Sequence, residues 1–564
     1  MIDPSPRRSW FFWWVAGGIP ALFVAVMTVA VPCAWAAPRS PAARVDAELL
    51  ELRVMLAVAG FLLAAIGWWW RRQGLPERRA SARRVLLGLV ALAAFAANYN
   101  LFIWTGLHRH ELYHYYLGSK YFPELGYFDL YTCSIQAVGD GSAPPGLVEM
   151  TDLRSKQRRP TAEVLAAAPD CASVFGTTRW NAFRTDVGRF HALMGEAGWA
   201  NVLRDHGYNP SPVWTAIGRP LASAVPATPA GLWLLARIDL ALLVGLFVAL
   251  GWGFGFEAAC IAAIAWGSCG HTRYQWTGDA FLRQLWLATS LGSLVSLRCG
   301  RPAMAGALLA LATLERVFPG AFFLGYALRE GCIWLRRREV TREFRRFAAG
   351  AFATTVIALA FATFVAGRGG SVWTEFAENT KGMLSFTPRN ALGLDYALSF
   401  TTVPPPEGLG SNDTERQQIV QSYRGRTLAA RAPWRWMGFG LLVAGLAIAT
   451  WRSPERSQDG TEWIESWEAA AMGAALIPFA TMPGSYYIGF VLVGALLAVR
   501  RPRIGVALLI ASVAWAAILV HYETRAIAFA ASSWVLIAYS LWMLAELAFA
   551  APDPAMPEAR SAHP

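Results

Sequence analysis

The chain has 564 residues, of which 55% are hydrophobic and only 16% charged. Soluble chains carry about a quarter charged residues, so this composition excludes an ordinary soluble enzyme, a disordered chain and a collagen-like fibre. The net charge of +12 is almost all arginine, since only Lys120, Lys156 and Lys381 are lysines. In so apolar a chain that charge is read first as membrane topology, not as a nucleic-acid surface. The 26 Trp residues fit aromatic belts at two bilayer interfaces. The expected fold class is an all-α polytopic membrane protein.

A membrane-spanning helix needs about 20 predominantly apolar residues, with roughly 17–25 the usual range. In chain order the predicted spans are 11–33, 53–70, 85–107, 231–252, 254–270, 281–298, 303–315, 317–334, 347–367, 434–450, 467–482, 485–499, 504–520 and 526–550. That is about fourteen crossings, within a range of roughly 12–14. The first stretch also reads as a signal peptide, because Arg7-Arg8 precede the apolar run and Ala34-Trp35-Ala36 resembles a cleavage site. Its length favours a retained helix.

Arginines in short loops set orientation. They cluster at Arg7-Arg8, between Arg71 and Arg84, between Arg336 and Arg346, and at Arg500, Arg501 and Arg503. Placing every cluster in the cytoplasm requires 303–334 to be two short helices broken near Glu315–Pro319, and Pro319 supports the break sterically. Both termini then lie inside, and the long segments 108–230 and 368–433 lie outside. The predicted organisation is an N-terminal hairpin (1–84), a core (85–367) containing the outer loop 108–230, a second outer loop (368–433) and C-terminal spans (434–564). Around 179–204, apolar residues recur at helical spacing, predicting an amphipathic helix lying on the membrane. The outer segment 108–230 holds eleven basic and eleven acidic residues, so the excess charge belongs to the cytoplasmic turns.

Cys133 and Cys171 both fall in the first outer segment and would form a disulfide in an oxidising compartment. Cys260, Cys269, Cys299 and Cys332 lie in or beside spans and read as packing residues. No cysteine or histidine spacing reads as a zinc site. There is no Walker loop, no dinucleotide-binding glycine fingerprint and no strong internal repeat.

The densest chemistry follows the third predicted span. Residues 108–131 hold three His, three carboxylates and six Tyr. Tyrosine is expected at a membrane interface, so Glu111 is more informative: at the mouth of a span and flanked by imidazoles, it is placed to be a base.

This stretch resembles the first outer loop of the membrane glycosyltransferases of the GT-C fold, in particular the mannosyltransferase-like glycosyltransferase family 87. Glu111, Tyr113, Tyr115, Tyr116, Gly118 and Gly126-Tyr127-Phe128-Asp129-Leu130-Tyr131 follow that family's order, with Glu where Asp is commoner. A second resemblance runs through Gly278-Asp279-Ala280-Phe281-Leu282-Arg283-Gln284, Arg298-Cys299-Gly300-Arg301-Pro302, Ala305-Gly306 and Leu314-Glu315-Arg316-Val317-Phe318-Pro319. Here the family's Gln-Asn pair is absent and Arg316 replaces the common Lys. The likeness covers roughly 85–335, beyond which only hydropathy agrees, so a divergent member is implied.

The resemblance implies a glycosyltransferase that takes sugar from a polyprenyl-phosphate donor and passes it to a glycan or lipid hydroxyl at the outer face of a bacterial inner membrane. No nucleotide sugar, no nucleic acid and no cofactor are then needed; a divalent metal is compatible with the acids present but not required. Glu111 is the expected base, and Arg316 the expected phosphate ligand, because a guanidinium offers a bidentate fork. Asp129 would orient Glu111's neighbours, contact the acceptor or cap a helix. Other substrate-binding candidates are His110, His114, Tyr115, Lys120, His271, Arg273, Lys381 and Arg389. The rival readings are a transporter or flippase of lipid-linked saccharides, and a lipid-linked-glycan ligase or polymerase. Transporters usually show internal repeats and midplane polar sites, whereas the polar density here is at the outer interface.

Overall fold

The computed structural model describes residues 41–73, 77–103, 106–139, 146–384, 390–400, 413–452, 462–522 and 525–553. The predicted first span at 11–33, the alternative signal peptide and Arg389 lie outside these residues.

Helices dominate, as in an all-α membrane protein. Among the described residues, seven helices are long and apolar enough to cross a membrane: Leu49–Gln73, Ala80–Asn98, Pro229–Phe254, Arg342–Val365, Ile419–Arg452, Pro502–His521 and Arg525–Phe549. Each contains or overlaps a predicted span. The other predicted spans appear as shorter pieces. Phe256–Ser268, Leu285–Arg298 and Pro302–Glu315 have 13 or 14 residues, and Ala321–Arg337 has 17. The stretch 467–499 is divided into Ser466–Ala474, Ile477–Ala480, a 3₁₀ segment Ser485–Leu492 and Val493–Leu497. Proline and glycine at Pro478, Pro483 and Gly484 account for the interruptions.

The predicted break in 303–334 is present. Pro302–Glu315 ends at Arg316, whose backbone is extended (φ −139°, ψ 124°), and Phe318–Gly320 forms a 3₁₀ turn before Ala321–Arg337 begins.

Lipid tails are as apolar as leucine, so helices inside a membrane associate through close packing at small residues. Two reciprocal contacts show this. A Cβ added at Gly306 would collide with the carbonyl of Phe347, and one at Gly350 with the carbonyl of Ala303, so Pro302–Glu315 and Arg342–Val365 meet backbone to backbone. Gly325 and Gly473 do the same against Ala469 and Ala321, joining Ala321–Arg337 to Ser466–Ala474.

A second core lies beside the bundle. Residues 107–139 and 146–225 fold into a lobe around Tyr113, Tyr116, Tyr121, Tyr127, Tyr131, Phe183, Phe190 and Trp199, all essentially buried. A short antiparallel hairpin, Glu149–Asp152 with Gln157–Pro160, adds a small sheet to a chain expected to be wholly helical. The Cys133–Cys171 disulfide ties Leu130–Val138 to Cys171–Phe175. The predicted amphipathic helix is Thr177–Val202, kinked at Gly195, and protein covers its apolar face. Its apolar residues Phe183, Val187, Phe190 and Trp199 are buried in the lobe, packed on Tyr113 and Tyr121. Apolar residues at helical spacing demand cover without saying what provides it.

Among the described residues, the lobe and the arginine clusters sit at opposite ends of the bundle. Pro229–Phe254 starts in the lobe core at Leu232 and Leu235 and ends at Phe254, over which Arg298 lies at 5.4 Å. Its 26 residues rise about 39 Å at roughly 1.5 Å each. Around that far end Arg71 and Arg83 bind Glu257 at 3.0 and 2.9 Å, Arg500 binds Glu465 at 3.1 Å, Arg329 binds Glu462 at 2.7 Å, and Arg503 lies over Trp68.

Candidate functional site

Glu111 projects from a single helical turn, Arg109–Leu112, which continues through a π-type turn Tyr113–Leu117 into Gly118–Lys120. His108 starts the turn by accepting the Glu111 N–H on Nδ1 at 3.3 Å. The Glu111 carboxylate accepts from the guanidinium of Arg283, and the two side chains are 19% and 6% exposed. Burial alone would push the carboxyl up. Arg283, and after it His108, His110 and His114, outweigh burial and hold it below the ordinary glutamate value.

Arg283 is placed by an unusual loop. Asp279 and Leu282 both adopt left-handed backbone conformations. The buried Asp239 carboxylate, from the middle of Pro229–Phe254, accepts the Arg283 N–H at 3.0 Å and the Gln284 N–H at 2.9 Å. It thereby caps Leu285–Arg298 from a neighbouring helix, satisfying donors that a helix start leaves open. The Asp279 carbonyl in turn accepts the His108 N–H at 3.1 Å, so this loop and the Glu111 turn are held together directly.

Arg283 also donates to the Trp276 carbonyl and lies 4.4 Å from the Tyr486 ring. Tyr486 meets Tyr487 at 4.5 Å, and Arg316 lies 5.5 Å over Tyr487. Arg316 donates to the Tyr115 hydroxyl at 3.0 Å rather than pairing with its neighbour Glu315. Its Nε is buried with no hydrogen-bond partner among the described residues. Four distant segments thus converge: the Glu111–Tyr115 turn, the Arg283 loop, the Arg316 break and the Tyr486-Tyr487 pair. The cluster holds Glu111 and two guanidiniums walled by three tyrosines, at the lobe end of the bundle, and Glu315 beside Arg316 and Asp239 beneath the Arg283 loop add two further buried carboxyl groups. Chemically it offers a proton acceptor beside two guanidinium groups, the donors that an anionic group would meet there.

The other predicted residues take different places. His110 adjoins the cluster, with Nε2 at 2.8 Å from Asp205. His114 is buried behind it, hydrogen-bonded to the His110 carbonyl and the Tyr131 hydroxyl. Arg273 sits at the rim, 5.8 Å from the Trp276 ring. His271 is buried against Phe529 at 5.5 Å. Like His271, three more residues are not brought to Glu111. Lys120 bonds Asp186 at 2.8 Å and the Tyr116 hydroxyl, inside the lobe. Asp129 pairs with Arg154 at 3.0 Å and precedes Leu130–Val138. Lys381 borders an open apolar depression of about 640 Å³ with Phe376, Ala377, Thr380 and Leu384.

Sequence reasoning missed Arg283, Asp239, Tyr486 and Tyr487 as site residues. Asp239 carried a usable signal, because a carboxylate in the middle of an apolar span is functional by default. Arg283 lay within the 278–284 stretch of the second resemblance without being singled out, and the tyrosine pair carried no signal separable from interface composition. Compared with known proteins, the chain matches no family model, no curated protein and no solved structure.

Proposed function

We propose that the protein transfers a sugar from a polyprenyl-phosphate-linked donor to an acceptor hydroxyl on a glycan or lipid. In this reading the acceptor oxygen attacks the anomeric carbon and the bond from that carbon to the phosphate oxygen breaks. The hydroxyl proton passes to Glu111, and polyprenyl phosphate leaves with its charge received by Arg316 and Arg283. The observation that carries the reading is the meeting of Glu111, Arg283 and Arg316 in one largely buried, tyrosine-walled cluster. Charge placed where a leaving group becomes anionic acts strongly in such an environment, and a base beside it has the proximity that proton transfer needs. The resemblance of 108–131 and 278–319 to the GT-C enzymes points the same way.

The reading places the protein in a bacterial inner membrane, with both termini cytoplasmic and the cluster periplasmic. The arginine-rich end supports the orientation, and the Cys133–Cys171 disulfide supports an oxidising compartment around the lobe. The test is transfer by the purified full-length protein from a panel of polyprenyl-phosphate sugars to glycan and lipid acceptors. Formation of a glycosidic bond that Glu111→Gln abolishes is expected. Movement of lipid-linked saccharide across vesicles without bond formation would establish the transporter reading instead, and transfer of an assembled chain would establish a ligase.

A further inference from the structure

Beside the cluster, one carboxylate of the lobe keeps unusual company. Asp205 follows the Thr177–Val202 helix and is faced by His110, His114 and His206. Its bonded partner is His110, and it forms no ion pair with arginine or lysine among the described residues. His110 and His114 stand one helical turn apart, their ring centroids separated by 5.0 Å. One ligand atom each from His110, His114 and Asp205 lies within 4.8 Å of the other two.

The hydrogen bonds of His114 select which of its ring nitrogens can ligate. His114 Nδ1 lies 2.9 Å from the His110 carbonyl, which can only accept, so Nδ1 carries the proton and Nε2 presents a lone pair. The Tyr131 hydroxyl donates to that Nε2 at 2.8 Å and accepts the Gly207 N–H at 3.0 Å. An imidazole N–H anchored on a backbone carbonyl is the arrangement that orients ligating histidines.

We propose that His110, His114 and Asp205 bind a divalent transition-metal ion, with zinc the best match. Two imidazoles and one carboxylate are the donors of a zinc site, whereas magnesium and calcium call for oxygen donors throughout. Three protein ligands leave a fourth tetrahedral position for water or substrate. The ion takes the place of the Asp205–His110 and Tyr131–His114 hydrogen bonds. At metal–ligand distances of about 2.0–2.1 Å, ligand atoms stand about 3.3 Å apart, so the His110–Asp205 contact of 2.8 Å opens by about half an ångström and a pair at the 4.8 Å limit closes by about 1.5 Å. The ion would fasten the segment after the Thr177–Val202 helix to the turn that carries Glu111. The His110–His114 spacing is visible in the sequence, but the third ligand comes from 95 residues beyond His110, which is why no zinc pattern could be read there.

The proposal is tested on the full-length protein in detergent, stripped by chelator and titrated with Zn²⁺ calorimetrically and with Co²⁺ by absorption. One saturable equivalent per chain is expected, with visible bands of tetrahedral Co²⁺. Asp205→Asn, His114→Ala and His110→Ala should each weaken binding at least tenfold. His110 is 30% exposed, so its variant serves if the buried His114 variant fails to fold. His191→Ala, which removes the His191–Glu196 pair on the Thr177–Val202 helix, away from the three ligands, should bind normally. Absence of saturable binding to the wild type would overturn the proposal and leave a His110–Asp205 ion pair alone. So would an equivalent that persists in all the site variants.

Discussion

Glu111 and Arg283, separated by 172 positions in the chain, form an ion pair that joins the lobe to the helix bundle. Removing one member of a buried pair leaves an uncompensated charge, at a cost of about 3–5 kcal/mol, whereas removing both costs much less. Arg283→Gln is therefore expected to lower stability more than the double variant with Glu111→Gln. Chemical denaturation in detergent should give a coupling energy of about 1–3 kcal/mol. Additive effects would show that the pair contributes no stability.

Arg316 and Tyr115 yield a second expectation. Arg316→Lys keeps the charge but loses the planar fork and its stacking on Tyr487, so it is not a conservative change. On the transferase reading it should reduce kcat/KM at least tenfold, while Tyr115→Phe, which loses one hydrogen bond, should cost a few-fold. Steady-state kinetics with the donor varied measures both.

The disulfide gives a prediction independent of function. Reduction, or Cys133→Ser with Cys171→Ser, should lower stability by about 2–4 kcal/mol. Thermal melting with and without reductant reports this, and maleimide mass tagging counts thiols. Cys260, Cys269 and Cys332 are buried free thiols and should tag only after unfolding.

Glycines at the helix contacts should respond unlike those on the surface. At Gly306 or Gly350, alanine would push its Cβ into a backbone carbonyl that cannot rotate away, at a cost of about 1–3 kcal/mol. Gly188, within the Thr177–Val202 helix, faces open space, so Gly188→Ala should stabilise by about 0.5–1 kcal/mol. Melting temperatures of opposite sign are the expected result.

Topology is checked with an impermeant maleimide on intact cells. Ser155→Cys, exposed in the turn of the lobe hairpin, should be labelled from outside. Arg337→Cys, at the arginine-rich end, should be labelled only after permeabilisation.

Long elements, and the break at Arg316, were legible in the sequence for physical reasons. Apolar runs such as 231–252 have no alternative to a helix, and the break at Arg316 followed from charge placement plus Pro319. The four short pieces within 467–499 were not legible, because hydropathy registers composition and is blind to where a helix unwinds. In the site, Glu111, Tyr115 and Arg316 were identified and do converge. Lys120 looked equally suited, yet it is held by Asp186, a partner 66 residues away that no local pattern announces. Asp239 and Arg283 show the converse: their importance lies in a contact between two helices, which exists only after packing.

The break at Arg316 finally makes chain length a constraint. Exposed turns ordinarily tolerate insertions, but this one is clamped on both sides, by Gly306 against Phe347 and by Gly325 against Ala469. Each residue added to a helix rotates the downstream chain by about 100°. One residue inserted between Gly306 and Arg316 would swing the guanidinium off Tyr115 and Tyr487 even with every side chain of the cluster retained. Spacing along the chain, as much as residue identity, is what holds this positive charge in register with Glu111.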